Sequence, residues 1–386
     1  MSNIPMLFQP LQLRDLELRN RTVVSPMCQY SAKDGVMNDW HHVHLSTFGR
    51  GGFGLVIFEA TAVEAIGRIT HGCTGLWNDE QLDAMKPIVK SVKNSGAATC
   101  LQLAHAGRKA SSQRPWEGDA ALTEIEFSRG EKAWNVIGPS PISFEEGWLT
   151  PHELSTVEID KNICAWVSAT KKANLAGFDA LEIHSAHGYL SHSFLSPISN
   201  QRDDKYGGSI QNRMRFTLEL TEAVRKEWPD NKPLFIRLST VDGKVGGWTI
   251  NDSILLAKEL KFLGVDIIDC SSGAIAATGT NTLPTPSPGY QVAFASKIKS
   301  AANINTQAVG LITDAGQAET ILRSGQADLV ALAREALNNP FWPLHAAKAL
   351  KCEVEYDLWP MQYGHWLALR EQGVFARRPG EIAKDN

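Results

Sequence analysis

The sequence predicts a parallel (β/α)8 barrel, an α/β fold, on three observations. Eight short apolar stretches recur along the chain, nearly every one followed by a stretch of helical period, which is how alternating strands and helices read in sequence. Polar or special residues stand late in or just after all eight, where a barrel collects its chemistry. No G-x-G-x-x-G opens a helix after the first strand, which weighs against the runner-up, an open doubly wound sheet.

Taken in order, residues 7–21 read as a hairpin with a charged turn at Arg14-Asp15. Val23 to Met27 is the first buried strand, and a helix follows over 42–52. The second strand spans 55–63 (LVIFEATAV), and its helix spans 79–95 with Asp79 as the expected N-cap. After a third strand at 98–104 the rhythm breaks: residues 108–150, rich in Pro, Trp, Gly and charge, predict a long capping excursion. Helical spacing returns at 153–176, before a fourth strand at 178–184. Helix 209–228, strand 233–239, helix 251–263, strand 265–270, helix 290–301, strand 305–309, helix 314–324 and strand 327–332 complete the alternation. Helices near 341–350 and 361–372 close the chain, with a polar, loosely ordered tail expected at 372–386. One domain over residues 1–386 accommodates all of this.

Composition narrows the function classes. Net charge of −4 leaves no electrostatic footprint for nucleic acid or an anionic membrane. The six cysteines (28, 73, 100, 164, 270, 352) form no C-x-x-C pair, so neither a zinc ribbon, an iron–sulfur site nor a disulfide framework is suggested. With no long apolar run and no charged-then-apolar leader, the expectation is a cytoplasmic protein.

The stretch 178–190 (FDALEIHSAHGYL) organises the rest. Leu181 and Ile183 alternate with Ala180, Glu182 and His184, as in a strand. His184 and His187, three residues apart, would face opposite ways in a continuing strand. Both reach one ligand only if the chain leaves strand geometry at Ser185-Ala186. A buried strand ending in a His-rich turn fits the same residues, and a metal role lacks a third ligand with a known pattern. On the fifth strand Arg237 shares its parity with Phe235 and Ser239 and so points inward. A buried guanidinium requires an anion or good acceptors, and inward Glu182 on the adjacent strand is one candidate.

The segments SPMCQY (25–30), EATAV (59–63), LQLAHAGRKA (101–110), EIHSAHGYL (182–190), SNQRDDKYGGSIQNRMRF (199–216), GLITD (310–314) and AREAL (333–337), in this order, resemble the old yellow enzyme family of FMN-dependent ene-reductases. The likeness extends over essentially the whole chain, and the branch is that of bacterial xenobiotic reductase and thermophilic-like NADPH dehydrogenases. It implies a TIM barrel holding non-covalent FMN, reduced by NADPH or NADH, with a small electrophilic alkene as substrate and a homodimer or homotetramer as the assembly. The resemblance places Ser25, Pro26, Met27, Cys28, Ala60, Gln102 and Arg237 around the flavin ring. Ser271, Gly310, Ala333 and Arg334 complete the cofactor set, the glycine and arginine suiting the phosphate. It makes His184 and His187 the donors to a substrate carbonyl or nitro oxygen, Tyr189 the proton donor, and Tyr30 a substrate contact. Where some relatives carry an arginine near the C-terminus, this chain has Trp366, expected to wall a substrate pocket, in a neighbouring subunit if not its own. Trp116, Trp134 and Trp148 are candidates to cap the site, while Asn200, Arg202 and Asp203 are expected to brace the rim. A flavin-based redox sensor using Cys28, with no dedicated alkene substrate, is the rival reading; an iron–sulfur dienoyl-CoA reductase lacks its cysteine cluster here, and a tRNA-reducing flavin barrel its basic face.

Overall fold

The computed structural model describes residues 4–277, 281–353 and 355–371. The polar tail expected at 372–386 lies outside the described residues. Eight parallel strands close into a barrel: β1 Thr22–Val24, β2 Leu55–Ala62, β3 Ala98–Ala104, β4 Ala180–Ser185, β5 Leu234–Ser239, β6 Ile267–Ser271, β7 Asn305–Ala308 and β8 Leu329–Leu332. Closure comes from β8 pairing with β1, Leu332 beside Val24. Helices α1 Asp39–Arg50, α2 Asp79–Asn94, α3 Thr156–Ala176, α4 Ile210–Glu227, α5 Ile250–Phe262, α6 Val292–Ala302 and α7 Ala315–Arg323 form the outer ring.

The strands alternate as the pleat demands. Outward residues such as Val56, Phe58, Leu101, Leu181, Ile183, Ile236 and Ile268 join one large core with the inner faces of the helices. On α3 the buried residues Ile159, Asn162, Trp166, Ala169, Ala173 and Ala176 recur at helical spacing and form that inner face. Inward residues Val23, Leu55, Ile57, Cys100, Ala180, Phe235, Ile267 and Leu329 make a second apolar cluster, filling the lower barrel. The hairpin (Leu11–Leu13 and Leu16–Leu18) plugs its base, with Leu13 and Leu18 in the same cluster. Arg14 in the turn adopts φ +52° and ties the hairpin to β6 through Asp266 at 2.8 Å.

Boundaries differ from expectation for local reasons. The first strand stops at Val24 rather than Met27, before Pro26, which has no N–H to offer a ladder. The second helix is capped by Asn78, not Asp79: its side chain accepts from Gln81 N while Gln81 reaches back to the cap's own backbone. Two short helices, Leu190–Leu195 and Arg334–Asn338, were not expected. The excursion holds a short helix at Glu124–Ser128, and its strand Ile137–Gly138 pairs with His152–Glu153. Rim bracing falls to Arg202, which donates to Pro139 O at 2.9 Å, to Leu154 O at 2.6 Å and to Asp204. Asn200 shares it, donating to Phe194 O at 2.7 Å and Tyr206 O at 2.8 Å, while Asp203, the third residue expected to brace the rim, is exposed.

Candidate active site

The C-terminal rim of the barrel gathers the predicted residues. β4 runs through Ser185, and the chain then turns because His187 takes a left-handed conformation, φ +58°, followed by Gly188 at +75°. A Cβ at Gly188 would lie 2.4 Å from Ala274 O, so only glycine fits there. The turn swings the second imidazole back over the barrel: the rings of His184 and His187 are 5.2 Å apart at 83°, and Tyr189 lies 4.9 Å from His184. The strand parity that would have separated the two histidines is thus overridden by one backbone torsion.

Hydrogen bonds then fix how each ring presents itself. His184 Nδ1 accepts from Ala186 N at 3.2 Å, so in the neutral ring the proton sits on Nε2, leaving a donor. His187 Nε2 meets Ser271 Oγ at 2.7 Å, while its backbone N–H donates to Ser239 Oγ at 2.9 Å. Burial, with the Arg237 charge second, holds both imidazoles well below their ordinary pKa, so both are neutral donors at pH 7. Burial likewise pushes the Tyr189 phenol well up, keeping its proton in place. Lys109 ties the excursion to the turn: its ammonium donates to His187 O at 3.1 Å and lies over the rings of Phe144 and Tyr189. Burial lowers its pKa to about 8.

Behind the imidazoles a dyad holds the turn. Gly188 N donates to His192 Nδ1 at 2.8 Å, and His192 Nε2 meets Asp242 Oδ1 at 2.8 Å, both side chains fully buried. Neither residue was singled out from sequence. A histidine at i+4 on the short helix after the turn was the available signal.

Below the site lies a polar layer. Arg237 is inward as parity predicted, but its carboxylate is Asp269, its register neighbour on β6, at 3.1 Å. Glu182, the candidate partner, instead accepts from Gln102 Nε2 at 2.8 Å. Gln102 is therefore engaged inside the barrel, with its amide N–H committed to that carboxylate. Arg237 also donates to Ser25 Oγ at 2.8 Å, which locks the residue after β1 across the barrel mouth. Asp269 was missed although the same parity argument marks it inward.

A cavity of about 470 Å³ opens beside this layer. Arg237, Ser271, Gly310, Ala333 and Arg334 line it, with Tyr290, Gln291 and Asn338, which sequence reasoning had not singled out. Gly310 (φ +126°) and Leu311 (φ +51°) turn the chain along its wall. A Cβ at Gly310 would meet Tyr290 and Gln291 at 3.2 Å. These donors, a mobile-proton hydroxyl and a close-approach glycine after the seventh and eighth strands suit a phosphate and its polyol chain. Since Ser271 both lines this cavity and bonds His187, the cavity adjoins the imidazole pair. The remaining expected cofactor contacts are spread around the rim. Pro26, Met27 and Cys28 lie half-buried on the loop after β1, and Ala60 lines a small void with Tyr189.

Cys28 carries its proton, since burial pushes the thiol well up. Tyr30, at φ +50°, meets the exposed Trp116 edge-on at 5.7 Å, so one tryptophan of the excursion does stand at the mouth. Trp134 packs on Arg68 and His71, and Trp148 on Phe144. Trp366 is not in this chain's own site. It lies exposed on helix Met361–Glu371, and the preceding residues Leu358, Trp359 and Pro360 line a cleft with Arg19, Gly52 and Ser95, at the opposite end of the barrel. Among the described residues, no cluster of His, Cys, Asp and Glu could hold a metal ion, and no helix is long and apolar enough to cross a membrane.

Residues 6–353 match the model of the NADH:flavin oxidoreductase / NADH oxidase family. The chain is 47% identical over 358 residues to an NADPH dehydrogenase of Geobacillus sp. (strain WCH70), covering 91% of this chain and 98% of that protein. It is 43% identical over 359 residues to an NADPH dehydrogenase of Bacillus subtilis (strain 168), covering 92% of this chain and 98% of that one. Among solved structures, morphinone reductase in complex with tetrahydroNAD superposes with a TM-score of 0.73 at 28% identity, covering 89% of this chain and 91% of that one.

Proposed function

Because this chain belongs to the NADH:flavin oxidoreductase / NADH oxidase family, and is an FMN-dependent oxidoreductase of the old yellow enzyme type, we propose that it reduces the C=C bond of activated alkenes at the expense of NADPH. The observation that carries the proposal is the convergence of His184, His187 and Tyr189 on one point of the rim. When bound, FMN supplies the hydride relay, taking hydride from the nicotinamide and yielding it to the β-carbon of an α,β-unsaturated ketone or aldehyde in ping-pong order. The cavity past β7 and β8 fits its phosphate end, with Arg334 and the backbone at Gly310 as the holding groups.

The chain's own residues account for the rest. His184 offers its Nε2–H to the substrate oxygen, and His187 the nitrogen now on Ser271, so negative charge arriving on that oxygen meets two fixed donors. Both rings are neutral, so each offers a single N–H and brings no charge of its own to the buried site. Tyr189, half-buried and protonated, delivers a proton to the α-carbon. Tyr30 and Trp116 frame the entrance. The protonated state of Cys28 favours this reading over a redox sensor, which needs a thiolate. Trp366, standing outside its own site, is proposed to reach a neighbouring subunit's pocket in a homodimer or homotetramer.

The test is spectroscopic and kinetic. The purified protein should be yellow, a phenol should raise a long-wavelength charge-transfer band, and NADPH should be consumed steadily with cyclohexenone. A colourless protein would sink the cofactor assignment; flavin bleaching by NADPH without turnover would favour the sensor.

A further inference from the structure

The polar layer inside the barrel holds more acidic groups than basic ones, and we propose that Glu182 and Asp269 form a redox-linked proton site. The pair takes up one proton from solvent when the flavin held against Arg237 receives a hydride. The inference rests on the flavin reading above.

Its basis is a charge count in a buried interior. The inward side chains of five adjacent strands at this level are Gln102, Glu182, Arg237, Asp269 and Gln307. Two are carboxyls and one is a guanidinium. Glu182 and Asp269 are both 0% exposed. Arg237 stands 3.1 Å from Asp269, while Glu182 receives only the Gln102 amide. Among the described residues Glu182 Oε2 has no hydrogen-bond partner. Two ionised carboxylates sharing one buried guanidinium would leave an uncompensated buried charge. The stable composition is one guanidinium, one carboxylate and one proton-bearing carboxyl, and burial accordingly pushes both acids up from their ordinary range.

Two nearby groups also titrate near neutral pH, Glu59 on β2, pushed up to about 8 by burial, and Lys109, lowered to about 8 by burial, and neither faces Arg237 in an ion pair. Below the layer Cys100, and on the outer face of β6 Cys270, are thiols pushed well up by burial. Above it, His184 and His187 are held neutral. Gln102 and Gln307 flank the acids and do not titrate.

Reduction changes the balance. A C–H bond of the nicotinamide breaks, and its hydride carries both electrons and the one proton that ends on the ring. The negative charge that results lies where Arg237 must answer it. The guanidinium then serves two anions, and the remaining carboxylate loses part of its counter-charge. At an effective dielectric of ~20, a unit charge this close changes a proton affinity on the order of a hundredfold. A solvent proton then forms an O–H bond on the remaining carboxylate, and is released when the hydride leaves for substrate. Tyr189's proton transfer to the α-carbon is separate from this.

Hydride transfer by itself draws no proton from the medium, so uptake can be measured directly. Yellow holoenzyme, weakly buffered and anaerobic between pH 6 and 8, is mixed with one equivalent of NADPH and followed with a glass electrode. The wild type should take up roughly 0.8 proton per FMN at the pH midway between the two affinities and about half at either end of that window, and the Glu182→Gln/Asp269→Asn double variant about none. No uptake in the wild type would overturn the proposal. So would uptake that persists in the double variant, which would place the proton on the flavin or on Glu59. Should the double variant fail to hold FMN, the reduced-minus-oxidised infrared spectrum of the wild type decides: a new protonated-carboxyl stretch, shifted in D2O, supports the site, and its absence refutes it. A protein that binds no FMN would instead defeat the flavin reading on which the proposal rests.

Discussion

The barrel interior is two materials in one tube. Its lower half is filled by Val23, Leu55, Ile57, Cys100, Ala180, Phe235, Ile267 and Leu329 and stoppered by the hairpin. Its upper half, one pleat period further along the same strands, carries Glu59, Gln102, Glu182, Arg237 and Asp269. Both halves are buried, yet the first lowers free energy by removing apolar surface from water, while the second is costly to bury and persists through pairing. The difference shows where stability is made and where chemistry is held. The lower half tolerates change in identity but not in volume, and the upper half the reverse.

The largest effect should come from emptying the lower half. Phe235→Ala removes a fully buried ring and is expected to cost about 3–5 kcal/mol, seen as a fall in the urea midpoint at unchanged slope. A loss under ~1 kcal/mol would mean that the plug collapses to fill the gap.

Next comes the rim. Tyr189→Phe keeps the ring and deletes the proton, so alkene reduction should slow by roughly 10²–10⁴ while reduction of the flavin by NADPH stays near wild type. Stopped-flow traces of the two half-reactions separate them; equal slowing of both would remove the tyrosine from its assigned role.

A smaller effect, on stability against pH, is expected at Glu59. Burial raises its pKa to about 8, although Gln29 N donates to it at 3.0 Å; His41, 3.4 Å away, is itself lowered to about 4 by burial. A carboxyl whose folded pKa lies above its unfolded one favours folding when protonated, so its contribution is complete at low pH and fades as pH rises from the ordinary carboxylate range to about 8. His41 works in the opposite sense, its contribution fading as pH falls from the ordinary imidazole range towards 4. Glu59→Gln should therefore flatten the pH 5–8 stability profile and raise stability at pH 8, by on the order of a few kcal/mol. An unchanged profile in urea melts would show that Glu59 is ionised as folded.

The smallest effect belongs to Ile267→Leu, which conserves volume in the lower half and should cost less than ~1.5 kcal/mol with FMN binding untouched. The isosteric exchange of Glu182 for Gln one layer up makes the contrast: nothing changes in shape, and the layer loses a place for a proton.

Much of this was legible in the chain before any fold was known. Hydrophobic alternation named the eight strands, and parity placed Glu182, Arg237 and Phe235 inside. The order of the motifs brought forward the rim residues and the flavin. Parity failed for the His184–His187 pair, because one left-handed residue re-aims a side chain and φ is not written in a period. It also could not choose between Glu182 and Asp269 as the partner of Arg237, since both are inward on strands next to β5.

The sequence by itself determined the barrel, the inward and outward faces, and the residue types at the rim, since burial pattern and side-chain chemistry are local properties of the chain. Only tertiary structure decided which charges meet: Arg237 with Asp269, Gln102 with Glu182, His192 with Asp242, and Trp366 at the far end from its own site. Pairing between strands depends on barrel stagger and on angles set by many distant contacts at once, and no single stretch of residues carries that information.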